Sequence, residues 1–327
     1  MGDPAGIGPE IVAKLFAEGI DQRAVVYGDL MILRRAIAIV GANLRVREIV
    51  DVDEACLSRE TIDVFPLSWL PEDFPIGSVS AAAGRAAYTF LDVAIDDARE
   101  GRIGALVTAP IHKESFRLAG IRFPGHTEML SHQCGGVPVA MMLANSELRV
   151  LLVTIHVPLA EAVRSITQEA ELRAIRFAQS ACLAAGVEAP RIAVAGLNPH
   201  AGEGGLFGTE DSEIIAPAVA RARKDGINVT GPWPGDTVFM RGRAGEFDIV
   251  VAQYHDQGLI PLKYLGLDEG VNVTVGLPFP RTSVDHGTAF DIAGTGRASH
   301  ASLRAAFDYA LVLQRFRTAL PPEGRGA

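Results

Sequence analysis

A strand that runs straight into a glycine-rich loop and out into a helix narrows the fold most. Residues 191–196 read RIAVAG, an apolar run of strand length. They enter GLNPHAGEGGLFGTED (196–211), which holds five glycines, one histidine and three acidic residues. SEIIAPAVARARK then has the apolar spacing of a helix. Glycine permits unusual backbone angles and close approach of the main chain to a ligand. In α/β folds, loops at the carboxyl ends of strands carry binding sites. The plainer alternative is an ordinary glycine-rich connection, and His200 argues against it.

Two further histidines stand in the same context. His156 ends the apolar run LRVLLVTIH, and His255 ends DIVVAQYH. All three fall at or just past the C-terminal end of a predicted strand. Neutral imidazole is a common ligand for Zn²⁺ and other divalent metals. Three strand ends can bring three imidazoles to one point and leave a coordination position open. One such histidine reads as locally hydrogen-bonded; three in one topological position favour a metal.

Strands and helices alternate along the rest of the chain. GDPAGIGPE looks like a strand-to-helix loop, with Pro9 in the first turn of a helix through EIVAKLFAEG. No strand precedes that loop, so a first strand is expected upstream of Met1. AVVYGD, LRVREIV, TIDVFPL, ALVTAP and VNVTVGLP read as strands, and VPVAMMLANS with LRVLLVTIH as a hairpin. Helices are expected over 80–100, 159–165, 168–186 and 302–319, with Thr127 capping another that GHTE opens. GPWPGDT reads as a proline-rich turn, RTSVDHGTAFDIAGTGRAS as one long loop, and PPEGRGA as a mobile tail. This alternation gives an α/β architecture, and 327 residues suffice for two lobes with a cleft between them.

A net charge of −9 argues against a nucleic-acid or membrane-surface partner, so an anionic substrate needs a local basic pocket. Cys56, Cys134 and Cys182 form no CxxC pair, which points to a reducing compartment without disulfides. With no signal peptide or membrane-spanning run, the expected location is the cytoplasm.

Six motifs occur in one order: GDPAGIGPE, TAPIHK, GHTE, GLNPHAGEGGLFGTED, YHDQG and GLPFPRTSVDHGTAFDIAGTGRA. Together they resemble the 4-hydroxythreonine-4-phosphate dehydrogenase (PdxA) family of vitamin B6 synthesis, from residue 1 to about residue 300. The first and last also resemble GDGIGPE and HGSAPDIAG of the isocitrate and isopropylmalate dehydrogenases. The resemblance implies the two-lobed α/β/α fold of that group, with the active site in the interlobe cleft. It assigns 1–125 plus 281–327 to a cofactor-side lobe, whose first strand is expected to be missing, and 126–280 to a metal, substrate and dimerisation lobe. The implied activity is NAD- or NADP-dependent oxidation of 4-phosphohydroxy-L-threonine to 2-amino-3-oxo-4-phosphooxybutanoate, then decarboxylation to 3-amino-2-oxopropyl phosphate. A branch of the family acts on D-threonate or D-erythronate 4-phosphate. TAPIHK, where many members have TGP, hints that the substrate pocket varies. The absence of GxGxxG agrees with the non-Rossmann cofactor site of the wider group.

The resemblance also implies roles. His156, His200 and His255 hold the metal, with zinc suiting three imidazoles and magnesium, cobalt or manganese as alternatives. Family members are homodimers, so His156 and His200 are expected to face the partner's His255. His126, Thr127, Lys263, Asn272 and Arg281 match substrate-binding positions. The loop carrying Asp285, His286, Gly287, Asp291 and Gly294 resembles one that wraps the adenine end of NAD. Asp236 and Asp256 lie in polar turns, where either can orient a ligand histidine, accept a proton or simply serve the turn. A rival reading is a phosphate acyltransferase of similar fold; the three histidines and HGTAFDIAG speak against it.

Overall fold

The computed structural model describes residues 1–266 and 270–317. The chain opens with α1 (Gly8–Glu18), β1 (Val25–Gly28), α2 (Leu30–Val40), β2 (Arg45–Glu48), β3 (Thr61–Pro66) and α3 (Ala81–Arg99). It continues through β4 (Leu106–Thr108), α4 (Lys113–Leu118), α5 (His126–Gln133), β5 (Ala140–Ala144), β6 (Arg149–Leu152), α6 (Leu159–Ser165) and α7 (Gln168–Ala184). Then come β7 (Ile192–Ala195), α8 (Ala216–Lys224), β8 (Val229–Trp233), α9 (Val238–Arg243), β9 (Ile249–Ala252) and α10 (His255–Tyr264). The last elements are β10 (Val271–Val275), β11 (Arg281–Val284) and α11 (Ala301–Arg317). Local chemistry sets the boundaries. Asp29 caps α2 by accepting from the Met31 and Ile32 N–H groups, and Ser80 caps α3 through the Ala83 N–H. Within α3, a Cβ on Gly84 would stand 2.1 Å from the Ser115 carbonyl, so glycine alone lets α3 meet α4.

Two compact units result. The first comprises Met1–Val137 and Leu277–Ala310. It carries the parallel sheet β1-β3-β2 and the parallel pair β4/β11. Its core joins Phe90, Leu91 and Ile95 of α3 to Met129 and Leu130 of α5, with Phe279. That packing puts α5 and residues 277–280 in this unit; the changeovers fall at 137/138, 276/277 and 310/311, where the sequence predicts 125/126 and 280/281.

The second unit comprises, among the described residues, Pro138–Gly276 and residues 311–317. Its strands lie in the order β10-β5-β6-β9-β7-β8. β6, β9, β7 and β8 are parallel, whereas β5 runs antiparallel to both β6 and β10. Val150, Leu151, Val250 and Val251 are fully buried, as expected of parallel strands covered on both faces.

Three local expectations are corrected. GPWPGDT is not only a turn, since β8 runs through Pro232. Among the described residues that strand pairs with β7 alone and lies at the sheet edge, where a residue without an N–H is tolerated. The long loop after Pro280 begins with a strand, β11, whose TSV segment suits a sheet although Arg281 disguises it. Thr127 lies inside α5; Gly125 is the cap position and supplies no side chain. The end of the helix expected over 302–319, and the tail, lie partly or wholly outside the described residues. All three cysteines are free, and among the described residues no helix is long and apolar enough to cross a membrane.

Candidate active site

His156, His255 and His200 follow β6, β9 and β7, which are adjacent parallel strands of the second unit. All three therefore follow the C-terminal ends of these strands, at one end of the sheet. The His156 and His255 rings are 5.6 Å apart between centroids. Their loops are joined at the Gln253 carbonyl, which accepts from the Thr154 N–H at 3.3 Å and hydroxyl at 2.8 Å. His255 Nδ1 lies 2.7 Å from Asp256 Oδ1, and His200 Nδ1 lies 2.8 Å from Glu203 Oε2. With Nδ1 donating to a carboxylate, a neutral ring offers its Nε2 lone pair to a metal.

The His200 loop has an unusual backbone. Residues 200–204 have φ of 54, 52, 82, 43 and 65°, a left-handed turn in which only two residues are glycine. Such angles cost an ordinary L-residue roughly 1–2 kcal/mol each. Asp211 offsets part of that cost by gripping the loop entrance. Its buried carboxylate accepts from the Leu197 N–H at 2.8 Å, the Asn198 N–H at 3.0 Å and Asn198 Nδ2 at 2.9 Å.

The donor chemistry suits a divalent metal: three imidazoles, two of them backed by carboxylates. Among the described residues, no group of three or more His, Cys, Asp or Glu side chains is placed to hold a metal ion. Asp236 is exposed in the turn between β8 and α9. That turn lies against α10, since a Cβ on Gly235 would be 3.0 Å from the Gln257 amide. Lys263 is on the last turn of α10, and Asn272 on β10 donates to Met141 Sδ at 3.4 Å.

In the first unit, Arg281 is 2 % exposed and donates from Nη2 to Thr108 Oγ1 at 2.7 Å. Burial pulls its pKa down to about 10, with the Glu128 charge opposing, so it stays cationic at neutral pH. Burial, and then the Arg281 charge, push His126 well below the ordinary histidine value, which keeps that ring neutral. Thr127 follows it on the first turn of α5.

The loop after β11 divides into two kinds of residue. Asp285 donates its N–H to Ser302 Oγ, while His286, Gly287 and Asp291 are not buried. Gly294 has a packing role: its φ is 81°, a Cβ would meet Ile76 at 3.1 Å, and its N–H donates to buried Glu10. The second Glu10 oxygen accepts from the Gly296 N–H at 2.8 Å. His112 stacks on Phe290 of this loop at 4.7 Å between centroids. Glu10, Asp211 and His112 each sit inside a quoted motif, which was the only signal available for them. Gln257 lies inside YHDQG, and Gln253 stands immediately before it.

The family described as "Pyridoxal phosphate biosynthetic protein PdxA" matches residues 21–310. A 4-hydroxythreonine-4-phosphate dehydrogenase of Beijerinckia indica is 56% identical over 315 residues, covering 96% of this chain and 94% of that protein. A D-threonate 4-phosphate dehydrogenase of Cupriavidus necator is 48% identical, covering 93% of this chain and 92% of that protein. Among solved structures, a 4-hydroxythreonine-4-phosphate dehydrogenase from Klebsiella pneumoniae superposes with a TM-score of 0.89 at 47% identity, over 96% of each chain.

Proposed function

Because this chain belongs to the PdxA family of pyridoxal phosphate biosynthetic proteins, we propose that it oxidises 4-phosphohydroxy-L-threonine with NAD or NADP and a divalent metal. It is an oxidoreductase, a dehydrogenase of phosphorylated hydroxy acids. In the proposed reaction the substrate's C3–H leaves as hydride to the nicotinamide and the C3–OH proton goes to a base. The product, 2-amino-3-oxo-4-phosphooxybutanoate, then loses CO₂ to give 3-amino-2-oxopropyl phosphate.

The observation that carries this reading is the trio of histidines at the ends of adjacent parallel strands, two with rings in contact range. His156, His200 and His255 would hold the metal, zinc being the best match to imidazole donors. When bound, that ion supplies Lewis acidity, lowering an alcohol's pKa and polarising the ketone that follows. Asp256 orients His255 through their 2.7 Å contact, which leaves exposed Asp236 to accept the proton. Arg281 grips the substrate phosphate, with neutral His126 and Thr127 beside it, and Lys263 and Asn272 contact the rest of the substrate. Asp285, His286, Gly287 and Asp291 contact the nicotinamide cofactor, while Gly294 shapes their loop.

A second copy of the chain completes the site. Exposed apolar side chains follow each histidine: Val157 and Leu159 after His156, Leu206 and Phe207 after His200, Ile260 and Tyr264 on the helix His255 opens. Apolar surface gathered beside incomplete ligand sets favours a homodimer. D-Threonate 4-phosphate is the second substrate reading, supported by the relative 48% identical that bears that name.

The test is reduction of NAD⁺ and NADP⁺ with 4-phosphohydroxy-L-threonine, D-threonate 4-phosphate, D-erythronate 4-phosphate and their unphosphorylated forms. Highest kcat/KM is expected for 4-phosphohydroxy-L-threonine, and metal chelation should abolish it. A higher value for D-threonate 4-phosphate would select the second reading. Equal turnover with and without the phosphate would overturn both.

A further inference from the structure

The strand ends that carry the His200 and His255 loops share a buried polar cluster that the oxidation does not use. Gln253, fully buried two residues before His255, donates from Nε2 to the Ala195 carbonyl at the end of β7, at 2.8 Å. Its N–H donates to Gln257 Oε1 at 2.7 Å, and Gln257 Nε2 donates to the Gly196 carbonyl at 2.7 Å. The start of α10 is thereby stitched to the start of the His200 loop. Glu171, on α7, is also fully buried. The groups facing it are the uncharged Gln253 and the charged Asp211, which grips Leu197 and Asn198.

Both Glu171 carboxyl oxygens and Gln253 Oε1 are buried without a hydrogen-bond partner in place. A carboxylate and an amide oxygen are both acceptors, so neither can satisfy the other. A proton on the carboxyl turns one of them into a donor and removes the mismatch. Burial pushes Glu171 up to about 8, with the Asp211 charge adding to the effect and the Gln253 amide opposing it. The acid form therefore prevails at neutral pH.

We propose that Glu171 is a positioning residue for the histidine site: as a neutral acid it donates to Gln253 Oε1 and fixes the turn presenting His255 against the loop presenting His200. The proposal rests on the reading of these histidines as metal ligands. Its pH signature follows from linkage. The carboxyl ionises near 4.5 when unfolded and near 8 when folded, so its contribution is fully present below 4.5 and is lost as pH rises to about 8.

Zinc affinity, measured by competition with a chromophoric chelator, tests the proposal without depending on turnover. Five variants are compared with the wild-type chain: His255→Ala, Glu171→Leu, Glu171→Gln, Gln253→Ala and the double variant Glu171→Leu with Gln253→Ala. His255→Ala should lose zinc binding. Glu171→Leu should weaken it by about tenfold or more, as loss of a partner behind a ligand does. Its kcat should fall with KM little changed. Gln253→Ala should behave alike, and the double variant should be no worse than either single one. Glu171→Gln supplies a neutral donor of the same shape. It should keep zinc affinity and kcat within about twofold and flatten the fall of Tm between pH 5 and 8. Wild-type zinc affinity in a folded Glu171→Leu, beside a lost site in His255→Ala, overturns this proposal alone. If Glu171→Leu does not fold, Glu171→Gln decides, because a tenfold loss there shows that a neutral donor is not what the site needs. Undiminished binding by His255→Ala overturns the ligand assignment itself.

Discussion

Histidine variants mixed in pairs are expected to regain activity that neither parent has. His156→Ala, His200→Ala and His255→Ala should each lose at least about a hundredfold in kcat/KM, since even partners behind a metal ligand are worth about 10–100-fold. The chain alone assembles no group of three ligands among its described residues, although His156 and His255 lie side by side. If a two-fold dimer completes the set, a mixed dimer of two variants lesioned on opposite sides of the interface concentrates both lesions in one site. The other site is intact. Half the co-refolded molecules are mixed, each with one working site, so about a quarter of wild-type activity returns. Family resemblance assigns this behaviour to the His156 and His255 variants. Recovery only in mixtures with His200→Ala would instead place His156 and His255 in one ligand set. No recovery in any of the three mixtures, with mixed dimers demonstrated, means that the site belongs to one chain.

Arg281→Ala should separate phosphorylated from unphosphorylated substrates. A hydrogen bond to a charged group is worth about 1.5–3 kcal/mol, so kcat/KM for the phosphorylated substrate should drop roughly 10- to 100-fold. The unphosphorylated analogue, which never used the guanidinium, should lose little. This contrast guards against structural damage, because Arg281 is buried and its loss strands the Thr108 hydroxyl. A general disturbance would lower both substrates together, and an equal fall would sink the phosphate assignment. Arg281→Lys keeps the charge but not the fork, and should fall between the two.

The elements that could be read from sequence are those whose local signals agree. α3 has apolar spacing, a Ser80 cap and Gly101 beyond its end, and it was placed to within a residue. β6, β7 and β9 are short buried runs bounded by polar turns, which is why the three histidines could be assigned to strand ends. Signals failed where tertiary context overrides composition. Arg281 stands in a strand although arginine is a surface residue by habit, and Pro232 stands in one because the edge excuses it. Glu171 has no local mark at all: a glutamate near a helix start reads as a favourable surface charge, and only packing buries it. Strand order was equally silent, because β10 pairs with β5 across more than a hundred residues of chain. The site residues lie in motifs that carry the family resemblance, whereas the groups that hold them in place are marked only by their packing in the fold.

The left-handed turn at residues 200–204 has a consequence for chirality. Its backbone has the screw sense that mirror-image amino acids prefer. Ala201, at φ 52°, is therefore a position where D-alanine should fit better than the natural residue, by roughly 1–2 kcal/mol, and where L-valine should fit worse. A semisynthetic chain carrying D-alanine there would be expected to melt higher with the imidazole of His200 still in place. The proposed ligand is thus borne on a stretch of protein whose handedness opposes that of its own building blocks.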